Sequence, residues 1–250
     1  MISAVIPVYN EASCLEAGVH ATRAVLQHVA GADSARDGDP KAWEILLVDD
    51  GSSDGTGALM ARLEAEDPHI RALSHSVNQG KGAAVRTGVL ATRGDFVLFC
   101  DADLSTPPEF LSEFLQVMER GADVVIGNRK SAAATIERWQ PPLRTWLGLG
   151  FTRLANRMMG LSVGDYTCGF KLFRGDAARR VFQRSETSRW SFDVEILALA
   201  AQEGLRVEEV PVRWHNDPDT RVRVLRDVIS SFRELIAIRR RLGRRPPPPS

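Results

Sequence analysis

Two aspartates with one residue between them follow an apolar run near the middle of the chain. Asp101 and Asp103 come directly after residues 96–100, which form a predicted strand. Carboxylates two residues apart on extended chain point the same way, and the carboxyl end of a parallel strand opens into the crevice where such sheets bind ligands. Two hard oxygen ligands there suit Mg²⁺ or Mn²⁺ shared with a diphosphate. The alternative is a solvated pair that caps a helix beginning near Pro107.

A second acidic pair, Asp49 and Asp50, follows another predicted strand and precedes the turn-forming run at 51–55. Acids at this position hold a ribose hydroxyl or a base edge in other nucleotide-binding sheets. N-capping of the next helix by Ser53 or Asp54 is expected as well. The functional hypothesis therefore concerns Asp49 and Asp50 alone.

The glycine-rich segment 78–82 opens a further predicted helix and contains Lys81. The segment matches neither GxxxxGK[ST] nor GxGxxG, whose third glycine is replaced by Val85. A glycine-rich helix start still attracts an anion, and Lys81 and Arg86 add positive charge. A plain tight turn is the competing interpretation.

Three further sites contain residues whose chemistry the sequence leaves open. Arg129 ends the fifth predicted strand, where it forms either a charge-assisted bond to a phosphate or an ordinary surface ion pair. Asp165 precedes an aromatic and glycine-rich stretch, where it contacts an acceptor or caps a turn. Trp190 with Asp193 and Glu195 is similarly ambiguous, because tryptophan usually belongs to a core.

A sheet is needed to bring these residues together. The first half of the chain alternates short apolar runs with helix-length stretches, as a parallel βαβ sheet does. The predicted strands are apolar on both faces and should be covered on both; they lie at 3–8, 44–48, 70–74, 96–100 and 124–127. The predicted helices lie at 12–29, 55–66, 82–92 and 108–120, and a polar loop is predicted at 31–41.

Beyond residue 129 the alternation stops. Helices are predicted at 143–161, opened by Pro141 and Pro142, and at 189–202 and 222–242, with a strand at 207–214. We therefore predict an α/β fold with three parts. They are a main domain at 1–220, a basic amphipathic helix at 221–245 and a proline-rich tail at 246–250.

The composition is that of a globular protein, with 44% hydrophobic residues and 32 basic against 32 acidic side chains among 250 residues. It excludes a disordered or collagen-like chain. No apolar run reaches the roughly 18 to 20 residues of a membrane span, and the first residues lack a secretion-signal pattern. The three cysteines lie far apart without a CxxC pair, so we expect reduced thiols in a cytoplasmic protein.

The basic charge is concentrated at one end, because residues 221–245 hold nine arginines and two acids. Apolar residues at helical spacing accompany them: Leu225, Val228, Ile229, Phe232, Leu235, Ile236 and Leu242. This pattern is typical of an interfacial helix, in which each basic residue contributes about 1 kcal/mol near an anionic surface. A helix packed on the core with a solvated basic face is the alternative. Nucleic acid is not an expected partner, because stacking aromatics are not interleaved with the arginines.

Taken together, these motifs resemble the family 2 glycosyltransferases of GT-A fold. The matching segments are IPVYNE at 6–11, VDDGSSDGT at 48–56, NQGKG at 78–82, DAD at 101–103 and GNR at 127–129. Within the family the chain is most similar to the dolichyl-phosphate β-glucosyltransferase branch, which adjoins the dolichyl-phosphate mannosyltransferases. The segments DYTCGFKLF at 165–173, RWSFDVEIL at 189–197 and EVPV at 209–212 support that branch.

The resemblance implies a Rossmann-like, mostly parallel sheet and assigns roles to individual residues. It implies that the nucleoside is held by Pro7, Tyr9, Glu11 and Asp49. It also implies that Asp101 and Asp103 hold Mg²⁺ or Mn²⁺ with the diphosphate, and that phosphates are bound by Arg129, Arg144 and Arg221. With Asp50 and Lys81 added from the patterns above, these are the predicted donor-binding residues; the predicted catalytic residues are Asp103, Asp165 and Arg129. Ser105 replaces the glutamine of the mannosyltransferases, so a third side-chain metal ligand is not implied.

The function that follows is an inverting, metal-dependent transfer of a hexose, glucose from the nucleotide sugar UDP-glucose, to a polyprenyl phosphate. A phosphate monoester has a second pKa of about 6, so such an acceptor is already anionic and needs no strong base. A sugar hydroxyl would need one, and Asp165 is the candidate. The alternatives are a GDP-mannose donor, a soluble hydroxyl acceptor, or a non-catalytic nucleotide-sugar-binding or membrane-scaffold protein.

The predicted acceptor also bears on where the protein acts. The glucosyltransferase branch usually carries an N-terminal membrane anchor that has no counterpart in this sequence. We therefore expect peripheral attachment to the cytoplasmic face of a membrane through the basic helix. A homo-oligomer is compatible with the sequence.

Overall fold

The computed structural model describes residues 1–34, 42–134, 142–214 and 224–243. Within them the chain forms one seven-stranded sheet and eight helices. The strands are β1 (Ile2–Val8), β2 (Trp43–Asp49), β3 (Ile70–Ser74), β4 (Phe96–Cys100), β5 (Val124–Asn128), β6 (Phe170–Arg174) and β7 (Val207–Pro211). The helices are α1 (Leu15–Ser34), α2 (Thr56–Glu66), α3 (Lys81–Leu90), α4 (Phe110–Glu119), α5 (Pro142–Met159), α6 (Gly175–Arg184), α7 (Phe192–Gln202) and α8 (Val224–Leu242).

The strand order in the sheet is β3-β2-β1-β4-β6-β5-β7. All neighbouring strands are parallel except β6, which is antiparallel to both β4 and β5. The chain moves from β1 to β2 and β3 on one side and then returns to place β4 on the other side of β1. This reversal makes a topological switch point at the carboxyl ends of β1 and β4, which is where open α/β sheets bind ligands.

Two apolar cores cover the two faces of the sheet. One contains buried side chains of α1, α2 and α4, and the other contains those of α3, α5, α6, α7 and α8. Each strand contributes to both cores because successive side chains point to opposite faces. The prediction of a mostly parallel α/β sheet covered on both faces is therefore confirmed.

The structure contains two elements that the sequence analysis did not predict, β6 and α6. Lys171 is the second residue of β6, and a lysine argues against a strand buried on both faces. Its side chain is nevertheless fully buried, because its ammonium donates to the Cys168 carbonyl and to Asp193 Oδ1, each at 2.6 Å. A partner 22 residues further along the chain thus makes this strand possible.

Other boundaries differ by a few residues. Helix α1 begins at Leu15 and continues to Ser34, into the predicted polar loop at 31–41, whose residues 35–41 lie outside the described chain. Helix α7 begins at Phe192 rather than at 189, and β7 ends at Pro211 rather than at 214. The proline-rich tail lies outside the described residues.

The C-terminal helix is partly a core element. Leu235, Ile238 and Leu242 are buried in the apolar core, whereas Phe232 is exposed. The burial of Leu235 and Leu242 agrees with the alternative prediction, a helix packed on the core. The side chains of Leu225, Val228 and Ile229 lie outside the described part of the chain. In the described part of the chain, no helix is long and apolar enough to cross a bilayer.

Candidate active site

The carboxyl edge of the sheet brings most of the predicted site residues together. Tyr9, Asp50 and Asp101 directly follow β1, β2 and β4, and Arg129 follows β5. Because β6 runs in the opposite direction, its start lies at the same edge, where Phe170 pairs with Cys100. The antiparallel strand therefore returns the 165–169 segment to the ends of the parallel strands.

The loops after β1 and β2 are joined into one platform by hydrogen bonds. Ser52 Oγ accepts from the Asn10 N–H at 2.8 Å and donates to Asp49 Oδ1 at 2.5 Å, and the Ser53 N–H donates to Asn10 Oδ1 at 2.7 Å. Asn10 adopts a left-handed conformation with φ 55°, which asparagine tolerates better than most residues. Beside this platform lie Tyr9, which is partly exposed, and Glu11.

Pro7 lies in β1 beyond the last pair that β1 makes with β4, Val5 with Phe99. It still pairs with Val48 of β2. A proline has no N–H for a strand ladder and is tolerated where one side of the strand is open. Pro7 therefore marks the position where β1 and β4 separate and the crevice begins.

Asp50 is buried and its two carboxylate oxygens are already engaged. Oδ1 accepts from the Gln79 N–H and contacts His75 Nδ1, and Oδ2 accepts from the Gly80 N–H, at distances of 2.8 to 2.9 Å. These bonds tie the end of β2 to the start of α3. The geometry gives Asp50 an anchoring role, and the ligand contact predicted for it stays a prediction.

Lys81, in the first turn of α3, reaches the acidic pair. Its ammonium donates to Asp101 Oδ1 at 2.5 Å and lies 5.9 Å from the centre of the Trp190 ring. Burial alone would lower the pKa of the Lys81 ammonium, but the charges of Asp101 and Asp193 outweigh it and raise that pKa. The lysine therefore stays cationic at the mouth of the crevice.

Asp103 is in a less favourable electrostatic position. Partial desolvation and the neighbouring charge of Asp101 raise the pKa of its carboxyl above the ordinary value, although the Ser105 N–H donates to Oδ1 at 2.9 Å. A cation bound by both carboxylates would offset the effect that the charge of Asp101 has on Asp103. The pair is thus suited to a divalent ion.

The two acids could hold a metal ion only if a substrate supplied further ligands. Among the described residues, no group of three or more His, Cys, Asp and Glu side chains could hold an ion without other ligands. Mg²⁺ in nucleotide enzymes commonly uses one or two carboxylates plus phosphate oxygens and water. Asp101 and Asp103 match that donor set, with the remaining ligands left to a diphosphate.

Gly169 lies against the Asp101 carboxylate. A Cβ at this position would collide with the carboxylate oxygens, and the Asp101 N–H donates to the Gly169 carbonyl at 3.2 Å. Because Gly169 has no side chain, the start of β6 can lie directly against Asp101. This close contact restricts the orientation of the Asp101 carboxylate.

Arg129 and Asp165 form the second charged cluster at this edge. Arg129 Nε donates to Asp165 Oδ2 at 2.7 Å and Nη2 donates to Oδ1 at 3.0 Å, in the bidentate geometry that suits these two groups. Burial opposes ionisation of Asp165, yet the positive charge and hydrogen bonds of Arg129 hold its pKa well below the ordinary range. A carboxylate of such low basicity is poorly suited to act as a general base.

The guanidinium of Arg129 also contacts Thr167 and Trp214. Nη2 also donates to Thr167 Oγ1 at 2.8 Å, and the group lies 5.4 Å from the centre of the Trp214 ring. Among the described residues, no acceptor lies within hydrogen-bond distance of Nη1. Arg129 therefore forms an ion pair with Asp165, and its contact with a phosphate stays a prediction.

The sequence analysis missed Lys130 and Thr167. The Lys130 ammonium lies 3.3 Å from Asp165 Oδ1 and donates to Thr152 Oγ1 at 2.8 Å. Its position directly after GNR is a signal that could have identified it. Arg144 lies in α5 but its side chain is outside the description, and Arg221 lies outside the described residues altogether, so their phosphate contacts stay predictions.

These features define an α/β protein with a pair of acidic residues at a topological switch point and an anchored arginine at the same edge, the architecture of a nucleotide-binding enzyme. A family model described as "Glycosyl transferase family 2" matches residues 3–182. The chain belongs to this family. The match includes both charged clusters and ends within α6.

Relatives of known name agree with the predicted branch. The chain is 34% identical to dolichyl-phosphate beta-glucosyltransferase ALG5C of Trichomonas vaginalis over 88% of its own length and 65% of the relative's. It is 32% identical to the dolichyl-phosphate beta-glucosyltransferase of Saccharomyces cerevisiae, over 95% of its own length and 74% of the relative's. The chain thus spans about two thirds to three quarters of these relatives.

Solved structures share the fold. Glucosyl-3-phosphoglycerate synthase from Mycobacterium tuberculosis, in complex with Mn²⁺ and UDP-glucose, superposes with a TM-score of 0.66 at 21% identity. The match covers 97% of this chain and 79% of the synthase. A mannosyltransferase from Pyrobaculum calidifontis, in complex with GDP-Man and Mn²⁺, gives a TM-score of 0.60 at 18% identity, over 99% and 66% of the two chains. The expected GT-A glycosyltransferase fold is confirmed.

Proposed function

We propose that this protein transfers glucose from UDP-glucose to a polyprenyl phosphate with inversion at the anomeric carbon, in a reaction that requires Mg²⁺ or Mn²⁺. The proposal depends above all on one observation, the Asp101–Asp103 pair with Lys81 at the switch point of the sheet. The relatives are dolichyl-phosphate beta-glucosyltransferases, and their names support both the sugar and the class of acceptor.

On the donor side, the platform formed by the β1 and β2 loops would hold the nucleoside. Tyr9 offers a partly exposed ring, and Asp49, whose Oδ1 accepts from Ser52, offers a carboxylate to a ribose hydroxyl. Lys81 would contact the diphosphate. A divalent ion held by Asp101 and Asp103 would neutralise charge that develops on the departing nucleotide.

On the acceptor side, Arg129 would bind the phosphate of the acceptor through Nη1. The bidentate bond to Asp165 and the Trp214 ring fix its guanidinium before the acceptor binds, so little ordering is needed at that moment. The phosphate oxygen is already anionic at neutral pH, because the second pKa of a phosphate monoester is about 6. The low pKa of Asp165 is compatible with a reaction that needs no strong general base.

A lipid acceptor requires access to a membrane surface, and α5 with α8 offers a candidate face. The two helices pack against each other. Trp146 of α5 is 69% exposed and Phe232 of α8 is 48% exposed, and exposed arginines lie on the same helices, namely Arg153, Arg157, Arg233, Arg239 and Arg240. Exposed aromatic rings among basic side chains are typical of peripheral attachment to anionic lipid. We propose that attachment is to the cytoplasmic face.

The reaction is tested by a donor screen with purified protein. UDP-glucose, UDP-galactose and GDP-mannose are each supplied with a short-chain polyprenyl phosphate or a soluble sugar acceptor, with Mn²⁺, Mg²⁺ or EDTA. We expect glucosyl transfer to the polyprenyl phosphate from UDP-glucose, and none in EDTA. Transfer only from GDP-mannose would contradict UDP-glucose as the donor. Transfer only to the soluble sugar would contradict the polyprenyl phosphate as the acceptor. Full activity in EDTA would contradict the assignment of the metal.

The membrane face has a separate test. Flotation with vesicles containing anionic lipid is expected to recover the protein, and the Trp146→Ser/Phe232→Ser variant is expected to float less. A matched control is Val77→Ser, which removes an exposed apolar side chain elsewhere in the fold. Equal flotation of the two variants would contradict the proposed face.

A further inference from the structure

The start of α3, which contains Lys81, is packed against a second segment of chain, residues 186–190. A Cβ on Gly82 would approach the Thr187 carbonyl to 2.6 Å, and one on Gly80 would collide with the Ser188 carbonyl. The Ala83 N–H donates to that same Ser188 carbonyl at 3.1 Å. The glycines of the 78–82 motif therefore admit the 186–190 segment as a close neighbour.

The 186–190 segment is in turn held from behind by a buried acid. Glu195 of α7 is fully buried, and its Oε2 accepts from the Glu186 and Thr187 N–H groups at 2.9 and 2.7 Å. Trp190, at the end of the segment, lies over the Lys81 ammonium. One face of the segment thus contacts Glu195, and the other contacts the first turn of α3.

The charge of Glu195 is balanced by Arg241, near the end of α8. Arg241 Nη2 donates to Glu195 Oε1 at 2.9 Å and to Thr187 Oγ1 at 2.6 Å, and Nη1 lies 3.7 Å from Glu186 Oε2. A second contact from α8 supports the same region, because Glu234 Oε2 accepts from the Ser191 N–H at 3.2 Å. The C-terminal helix therefore contacts the segment itself at Thr187 and the residue that directly follows the segment, Ser191.

We propose that Arg241 is a positioning residue for the donor site: through Glu195 and the 186–190 segment, it holds the first turn of α3 and directs Lys81 toward Asp101. The inference rests on the proposed function, because it takes the Asp101 edge to be the site that binds the diphosphate. The basic helix then has a second role besides any contact with a membrane. Its last turn is part of the support of the donor site.

The test measures the affinity of the full-length protein for UDP in the presence of Mn²⁺ by calorimetry. Arg241→Gln is expected to weaken UDP binding about tenfold, the size of effect typical of residues that orient a ligand-binding group. The matched control is Arg180→Gln, which also removes an arginine paired with two acids, Asp176 and Glu203, but lies away from the 186–190 segment. We expect that control to bind UDP with unchanged affinity.

A double-mutant cycle separates positioning from a general loss of structure. Lys81→Met removes the ammonium on which Arg241 is proposed to act, so Arg241→Gln should cause no further loss of UDP affinity in that background. Equal factors in the two backgrounds, or an Arg241→Gln variant that matches Arg180→Gln, would overturn the inference. If the unaltered protein does not bind UDP with Mn²⁺, the proposed function itself fails.

Removing Arg241 leaves Glu195 buried without its cation, which can unfold a protein. Thr187→Val provides a milder variant, because it deletes only the hydroxyl that accepts from Arg241 and leaves the ion pair intact. It is expected to weaken UDP binding about threefold in the unaltered background and not at all with Lys81→Met. An affinity equal to that of the parent protein in the unaltered background would contradict the proposed route.

Discussion

The two acidic sites at the carboxyl edge of the sheet have opposite electrostatic environments. Asp165 is buried and bound by Arg129 in bidentate fashion, with Lys130 nearby, and its pKa is held well below the ordinary range. At Asp103, partial desolvation and the nearby negative charge of Asp101 raise the pKa of the carboxyl above its ordinary value. The negative charge of an aspartate is thus balanced by neighbouring cations at Asp165 and poorly balanced at Asp103. We call the Asp165 carboxylate compensated and the Asp103 carboxylate uncompensated.

This difference separates a residue suited to maintaining structure from one suited to binding a ligand. A compensated carboxylate stabilises the fold and holds its partner arginine still. An uncompensated one destabilises the free protein and gains most when a cation arrives. Substitutions in the two sites should therefore shift stability in opposite directions, although both should lower transfer activity.

The largest effect on activity is expected from Asp103→Asn, about 10²- to 10³-fold, because the proposed divalent cation would lose a ligand. The raised pKa means that the ionised carboxylate is less favourable in the folded than in the unfolded chain at neutral pH. Neutralising it should leave the melting temperature unchanged or higher. Turnover, Mn²⁺ binding and thermal unfolding check these expectations.

The control for Asp103→Asn is Glu119→Gln, which removes an exposed carboxylate from α4. It should leave both turnover and Mn²⁺ affinity unchanged. If Asp103→Asn had the same turnover as that control, the proposed role of the Asp101–Asp103 pair in the reaction would be contradicted.

A smaller loss, about 10²-fold, is expected from Gly169→Ala. The added Cβ collides with the Asp101 carboxylate and must displace it, and a misplacement of about 1 Å can have an effect of this size on catalysis. Mn²⁺ affinity should fall with activity. Gly150→Ala, where a Cβ meets no neighbour, is the matched control and should be neutral in both measurements.

Asp165→Asn should lower activity only about tenfold, because Arg129 loses its orientation but the acceptor phosphate remains a nucleophile. Stability should fall by about 3–5 kcal/mol, as expected when one partner of a buried ion pair is removed. Denaturant unfolding and a rate assay measure the two effects. A loss of about 10⁴-fold in a stably folded variant would instead identify Asp165 as a general base.

The comparison also predicts two different responses to acid. Protonation of Asp103, whose pKa is raised, competes with the metal, so Mn²⁺ affinity should fall by up to about tenfold per pH unit once the pH drops below that pKa. The Asp165 ion pair behaves differently. Its contribution to stability is present above the unfolded-state pKa of about 3.9 and is lost only as the pH falls toward the lower folded-state value. Mn²⁺ affinity and the free energy of unfolding can both be measured from pH 7 to pH 3. The affinity should begin to fall at a higher pH than the contribution of the Asp165 ion pair to stability.

Much of the fold follows from the sequence because its signals are local. The apolar runs of β1 to β5 and the helices between them are visible without tertiary information, and so are the acids that follow the strands. The resemblance supplied the fold family. The structure added what depends on distant partners, namely β6 with its buried Lys171, the anchoring of Asp50 by Gln79 and Gly80, and the role of Lys130.

The role of Asp165 shows the same limit. Its sequence context is compatible with a base, a cap or an orienting residue, and only the paired distances to Arg129 distinguish them. The last turn of α8 is a second example. Its arginines form one basic pattern in the sequence, yet Arg241 binds a buried acid whereas Arg240 is exposed.

The antiparallel strand β6, which lies between β4 and β5, has a consequence for biosynthesis. Both hydrogen-bonded neighbours of β5, namely β6 and β7, follow it in the chain. On the ribosome, β1 to β4 can therefore assemble as soon as they emerge, whereas β5 must wait for residues 170–174 before it can join them. A nascent chain released before that point would keep an unpaired strand edge, so premature termination in this stretch should produce aggregates rather than a smaller working enzyme.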